Sequence, residues 1–436
     1  MNCKVTLQDG ILGEYYQKIK AHFINGIDET EHIDAYTTDH KSSFAGPEFA
    51  GKYIDICMRY YKDCGDAAVL EKAERVVNSI IQKQKDNGYI GGLPQEYEWE
   101  TFSVWNQTFT VRGLLAYYYI TKDARALDAA EKCVINIANH YIDNDDADIL
   151  EALNDGTQNI SILLVLPDLY EITGNQIYMD FMQHIIHKMK NNNLNFFDFD
   201  DVMQLRSKKG IENFIIYFGM LAYGDITGDE SALAGAEKYW EQINSTQIRN
   251  TGNGTLREFW TQNGNAPAMI DLEQKPNENC VAVGWIEFCY LLFLKSGDVK
   301  YLDAIEKTLF NHILGGLSED GRDFAYYQPN YGKKVLTTDA KLYQCCRYRG
   351  FMLFSYMRDA LYHTIGNTIV PLVYTNSEYE DNDLKICQTT GYPFDGTVRF
   401  KVNVGQGKKH KLKLRIPAWC NSFSVKLNGC TVSAPA

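Results

Sequence analysis

Up to Asp298 the apolar positions fall at steps of three and four, as at Leu127, Ala130, Val134 and Ile137, the spacing that gives an α-helix one apolar face. The helices are punctuated by one recurring turn: Cys64-Gly65-Asp66, Thr121-Lys122-Asp123, Thr173-Gly174-Asn175, Thr227-Gly228-Asp229 and Ser296-Gly297-Asp298. Glycine supplies the left-handed residue that ends a helix, and Asp or Asn accepts the orphan N–H groups that start the next. The second copy lacks the glycine. Each interval holds about one pair of helices, and helical hairpins repeated in this way either stack as an open solenoid or close into a ring. The last interval is longer and carries Gly252, Gly254, Gly264, Pro267 and Pro276, which predicts an inserted loop of the kind that often serves function. After Gly366 the period changes to two: Val398, Phe400, Val402 and Val404 share one face, as do Leu412, Leu414 and Ile416. Gly405-Gln406-Gly407 reads as a turn and Asn428-Gly429 as a type I′ hairpin. The expectation is a helical domain over residues 1–366 and a small β-sandwich module over 367–436, cut short by the end of the chain.

Composition narrows the class. The chain has 436 residues, 45% hydrophobic and 23% charged, an ordinary globular balance that excludes fibrous or unfolded chains. A formal charge of -13, with no long runs of one sign, disfavours nucleic acid as a partner. The N-terminus shows no apolar stretch before a small-residue cleavage site, and no apolar span of ~20 residues is seen, so a cytoplasmic protein without a membrane segment is expected. Eleven scattered cysteines do not read as a disulfide framework and leave thiols for packing, metal or catalysis.

Three places carry candidate chemistry. Cys345-Cys346 precedes Arg347-Tyr348-Arg349, and cations beside adjacent thiols favour thiolate. Glu278-Asn279-Cys280 places a carboxylate and a thiol two apart, directly after the long loop. Together Glu278, Cys280, Cys345 and Cys346 supply four donors of the kind tetrahedral Zn²⁺ takes, although the spacing is not that of a zinc ribbon. Packed thiols, or a transient redox pair, are the alternatives. In Arg257-Glu258-Phe259-Trp260 a carboxyl group stands among a cation and two aromatics, where burial decides whether it can act as an acid. Trp99, Trp105, Tyr326 and Tyr327 are candidates for stacking on sugar faces.

Asp86-Asn87-Gly88-Tyr89-Ile90, Glu278-Asn279-Cys280, the run from Leu314 to Gly321, Phe324-Ala325-Tyr326-Tyr327-Gln328-Pro329, Cys345-Cys346 and Leu414-Arg415-Ile416-Pro417-Ala418-Trp419 together resemble glycoside hydrolase family 127, the β-L-arabinofuranosidase family. The Glu-x-Cys followed by Cys-Cys is the specific part. The resemblance implies a mainly α fold, an (α/α)6 toroid followed by a β-sandwich, and a zinc site of Glu278, Cys280, Cys345 and Cys346. It also implies Cys345 as nucleophile and Glu258 as acid/base, with Glu273 as the rival, in a retaining double displacement through a thioglycosyl intermediate. Two departures stand out. No histidine occurs in Asn106-Gln107-Thr108-Phe109 or Ile211-Glu212-Asn213-Phe214, where family members grip sugar hydroxyls, and Arg347 and Tyr348 replace the prolines after the cysteine pair. These changes point away from plain arabinofuranose, and toward a glycone with a carboxylate if Arg347 faces it.

The expected function is therefore a zinc-dependent exo-glycosidase releasing a terminal furanose or unusual sugar from an oligosaccharide or glycoside, with Tyr326, Trp105 and Arg347 binding substrate. The alternative is a catalytically inactive carbohydrate-binding protein with a structural zinc. Exposed aromatics on the β module are the one hint of a homodimer.

Overall fold

The computed structural model describes residues 4–36, 46–100, 102–144, 146–194, 196–336 and 344–433. The turns work as their residues dictate. Asp66, Asp123 and Asn175 each accept the backbone N–H two residues on, and Asp229 and Asp298 do the same for Ser231 and Lys300. Gly65, Gly174, Gly228 and Gly297 hold φ of 62°, 68°, 75° and 70°, and Lys122, standing where the glycine is missing, is forced to 59°.

Helices of two kinds alternate. Ala67–Lys83 buries Val69, Ala73, Val76, Val77 and Ile80, a single stripe. Ser103–Thr121 instead buries every residue from Ser103 to Val111, so it is covered all round. The covered segments are Gly46–Cys64, Ser103–Thr121, the broken pair Asn159–Leu164 and Leu166–Thr173, Gly210–Thr227, Asn279–Ser296 and Cys345–Asp359. Each packs on the next and the last packs on the first, closing a ring of six. Ile11–Ile19, Ala67–Lys83, Ala124–Ile142, Gln176–Asn191, Ser231–Thr246 and Lys300–Thr308 lie outside, each against its inner partner. This is the (α/α)6 toroid, not the open solenoid. Asn279–Ser296 has the length and hydropathy to cross a membrane, contrary to the sequence reading, yet 72% of it is buried inside the protein as an inner helix of the ring. Where Gly46–Cys64 crosses Ser103–Thr121 the backbones nearly touch: a Cβ on Gly51 would lie 2.1 Å from the Phe109 carbonyl oxygen.

The β module has strands β1 (Lys4–Leu7), β2 (Tyr362–Ile365), β3 (Thr368–Pro371), β4 (Ser377–Glu380), β5 (Leu384–Thr390), β6 (Val398–Val404), β7 (Lys411–Leu412), β8 (Val425–Leu427) and β9 (Cys430–Val432). They form sheets β1-β4-β5-β6 and β2-β3-β7 and the hairpin β8-β9. The two larger sheets meet through Tyr362 and Tyr379, ring centroids 5.4 Å apart. Strand pairing thus starts at Tyr362, ahead of the expected boundary, and the module borrows β1 from the other end of the chain, pairing Val5 with Tyr379. The Asn428-Gly429 turn takes φ of 50° and 85°, as a type I′ hairpin requires. The alternating Val398–Val404 segment is strand β6; Phe400 on its apolar face packs against the core, while Val402 and Val404 are 41% and 44% exposed. Arg415 fastens the module to the toroid through Asp303 and Glu306.

Candidate active site

The cavity lies where the first turns of the inner helices converge. Glu48 and Lys52 come from Gly46–Cys64, Trp105 from Ser103–Thr121, Lys209 and Glu212 from the start of Gly210–Thr227, Glu278 and Cys280 from Asn279–Ser296, and Cys345 and Arg349 from Cys345–Asp359. All are among its lining residues, and its volume is about 310 Å³. Helix N-termini carry positive partial charge, so this mouth of the ring favours thiolates and carboxylates.

The two motifs that are far apart in sequence do meet. One donor atom from each of Glu278, Cys280, Cys345 and Cys346 lies within 4.8 Å of the others. Glu278 Oε1 is 4.0 Å from Cys345 Sγ and 3.7 Å from Cys346 Sγ, and the Cys280 N–H donates to Cys346 Sγ at 3.2 Å. Glu278 is fixed from both sides: its carbonyl accepts from Asn253 Nδ2 at 2.6 Å, its N–H donates to Thr255 Oγ1 at 3.2 Å, and it bridges to Tyr327. The side chain is buried, yet its Oε2 has no partner. A buried carboxylate oxygen left without a donor is costly, whereas a cation among three sulfurs and a carboxylate satisfies it. The donor set therefore fits a metal ion. Burial pushes the Glu278 carboxyl and the Cys280 and Cys346 thiols up, while hydrogen bonds from Cys280 and Cys346, helped by Lys52 and Tyr326, hold Cys345 well below the usual thiol value.

Glu258 faces the same cavity. It accepts from Tyr326 Oη at 2.9 Å and Tyr327 Oη at 2.8 Å and pairs with Lys209 Nζ at 2.7 Å. It stands on a tight turn, with φ of 47° at Arg257 and 77° at Glu258, whose carbonyl accepts the Gly210 N–H. The Tyr326 hydroxyl also lies 3.3 Å from Cys345 Sγ, so one phenol links the thiol to the carboxylate. Glu273 is exposed on the turn Leu272–Gln274 and does not line the cavity.

Tyr326 and Trp105 line the cavity, but Arg347 does not. Its guanidinium donates to the Arg322 carbonyl at 2.9 and 3.1 Å and lies over Phe23. Two residues along a helix from Cys345 is roughly 200° around it, whereas Arg349, four residues on, returns to the Cys345 face. Arg349 lines the cavity, paired with Glu287. The argument for an acidic glycone resting on Arg347 falls with it. Lys209, Glu212, Lys52 and Arg349 were missed by sequence reasoning. Glu212 had a signal, as the carboxylate inside a segment singled out for its missing histidine, and so did Arg349, as the second cation after the cysteine pair, although Arg347 was chosen in its place.

Residues 6–359 match the family model for the GH127 catalytic domain of β-L-arabinofuranosidase, and residues 369–436 match the model for its middle domain. A non-reducing end β-L-arabinofuranosidase of Bifidobacterium longum subsp. longum is 22% identical over 425 residues, covering 82% of this chain and 62% of that protein. The chain thus spans less than two thirds of that relative's length. A crystal structure of a GH127 β-L-arabinofuranosidase from Geobacillus stearothermophilus T6 superposes with TM-score 0.78 at 19% identity, covering 99% of this chain and 77% of that one. A second solved GH127 β-arabinofuranosidase gives 0.79 at 21% identity, over 99% and 76%. At such identities the structural likeness shows the fold.

Proposed function

We propose, from the premise that this chain belongs to the β-L-arabinofuranosidase GH127 family, that it is a retaining exo-glycosidase with Cys345 as nucleophile and Glu258 as acid/base. The observation that carries this is the Tyr326 hydroxyl bridging Cys345 Sγ and Glu258 Oε1. It keeps the two groups within about two hydrogen-bond lengths, compatible with the ~5–5.5 Å separation of retaining pairs. Glu278, Cys280, Cys345 and Cys346 would hold one Zn²⁺, which supplies charge neutralisation and keeps the thiols deprotonated and fixed in place.

The steps fall to the chain's own groups. Cys345 Sγ attacks the anomeric carbon as the glycosidic C–O bond breaks, and Glu258 gives its proton to the leaving oxygen. Water then attacks the same carbon, Glu258 takes its proton, and the C–S bond breaks to free both sugar and thiolate. Tyr326, Tyr327 and Lys209 aim Glu258 throughout. A cavity of about 310 Å³ walled by Trp105, Phe102 and Phe109 suits one sugar ring, hence a terminal residue, a furanose or a related unusual sugar.

The test is a screen of aryl glycosides that includes furanosides and acidic sugars. The expectation is turnover of one glycone by the wild type, lost in Cys345→Ser and in Glu258→Gln with circular dichroism unchanged. Turnover at wild-type rate in either variant overturns that residue's role.

A further inference from the structure

A second pocket of about 490 Å³ opens on the rim above the active cavity, lined among others by Trp99, Glu151, Asp155, Asn159 and Arg206. Its position follows from the ring. Each of its walls is a segment leading into an inner helix; two of them send another residue to the deep cavity, and the third holds a side chain that lines it. Trp99 precedes Phe102 and Trp105, and Arg206 precedes Lys209 and Glu212. Asp155 sits between Asn154 and Thr157, both of which hydrogen-bond to Glu212 of the deep cavity. The two cavities thus share two loops, and the third loop contacts Glu212 between them.

The lining has the chemistry of a neutral sugar site. Trp99 is backed on one face by His140, stacked at 3.7 Å and 1°, a rigid platform of the kind on which a sugar ring stacks. Around it Glu151, Asp155 and Arg206 are exposed and make no ion pair among the described residues, so their acceptors and donors are available to hydroxyl pairs. Asn159 is buried in the wall; its amide donates to Tyr141 Oη at 3.2 Å, and its Oδ1 has no partner. Two carboxylates against one guanidinium disfavour an anionic ligand.

We infer that this rim pocket is a leaving-group subsite: it binds the neutral sugar, or short run of sugars, on the far side of the scissile bond, with Trp99 as the stacking platform. This rests on the glycosidase reading for its place in the reaction, but binding can be measured without turnover. Titration calorimetry with arabinotriose, and with a uronic acid trisaccharide as the charged comparison, is run on wild type, Trp99→Ala and Arg206→Gln. The neutral trisaccharide is expected to bind the wild type, with affinity about tenfold lower in each variant, and the acidic one to bind more weakly. No saturable binding to the wild type, or equal affinity in the variants, overturns the subsite.

A kinetic comparison separates the two readings. With the glycone found by the screen, each variant is expected to raise KM about tenfold for a trisaccharide bearing that sugar and to leave kcat/KM for the glycosyl fluoride of the same sugar, whose leaving group is a single atom that cannot reach Trp99, within about twofold. Equal losses on both substrates, or no loss on either, refute the subsite while leaving the catalytic assignment intact. A wild type that binds arabinotriose through Trp99 yet hydrolyses nothing refutes the catalytic assignment and leaves the subsite.

Discussion

Glu212 gives the sharpest electrostatic test. It is buried in the cavity wall, and Asn154 Nδ2 donates to its Oε1 at 2.5 Å. Thr157 Oγ1 lies 2.8 Å from the Asn154 carbonyl and 2.5 Å from Glu212 Oε2, but one hydroxyl proton cannot serve both acceptors. A protonated Glu212 resolves the conflict by donating to Thr157, which donates in turn to the carbonyl. Burial pushes the same way, raising the carboxyl from 4.5 to about 7 against the opposing pull of Thr157, Lys209 and Asn154. Because the folded state holds this proton more tightly than the unfolded chain, the stabilisation is full below pH 4.5 and fades as pH climbs to about 7. At ~1.4 kcal/mol per unit, ionisation costs the fold at most about 3 kcal/mol. Glu212→Gln keeps both a donor and an acceptor and removes the titration. Urea unfolding of both proteins at about pH 5 and about pH 8 should show near-equal stability at the lower pH and the variant ahead by roughly 1–3 kcal/mol at the higher. A difference that does not change between the two pH values, or a variant weaker at the higher one, refutes the reasoning.

Three further outcomes follow from the geometry. Purified protein should carry about one zinc per chain, and stripping it with a chelator should lower the thermal midpoint; metal analysis finding less than ~0.2 zinc in undisturbed protein sinks the metal assignment. Gly51→Ala drives a Cβ toward the Phe109 carbonyl oxygen, 2.1 Å away, and should cost roughly 1–3 kcal/mol or more in urea unfolding, while a neutral result would mean that the two helices part easily. Lys122→Gly relieves a left-handed residue at φ 59° and should raise stability by about 0.5 kcal/mol, an unchanged or lower midpoint counting against strain there.

What the sequence disclosed was local chemistry with a fixed spacing. Each Gly-Asp or Gly-Asn turn declares its helix end because the left-handed stop and the cap are neighbours, and Lys122 shows that the position, rather than the glycine, sets the backbone. The four candidate donors were legible because they sit in two compact motifs. Lys209 and Lys52 were not, since each is an ordinary cation at or in its own helix and becomes part of the site only when the ring closes. The same holds for β1, whose four residues pair with Ser377–Glu380 across the whole length of the chain. Arg347 misled for a geometric reason: adjacency in sequence to Cys345 is not adjacency on a helix face.

The charges around the cavity give the metal reading its physical basis. Among the described residues lining it, Glu48 is paired with Lys52, Glu258 with Lys209, and the Arg349 guanidinium with Glu287 beneath the floor. Glu212 meets neutral donors and is pushed toward its protonated form. That leaves Glu278 and its three thiols, with no cationic side chain paired to the carboxylate and one of its oxygens unpartnered. Inner-helix N-termini soften this negative charge but supply only about half a unit each, within the first turn. A divalent cation at the quartet would halve the formal charge of one carboxylate and three thiolates, from -4 to -2, and would give the unpartnered Glu278 oxygen a partner. If the quartet were merely packed thiols, burial would favour the neutral form of Glu278 and replacing it by Gln should leave the fold as stable or more so; if it holds a cation, the same change should lower stability and metal content together.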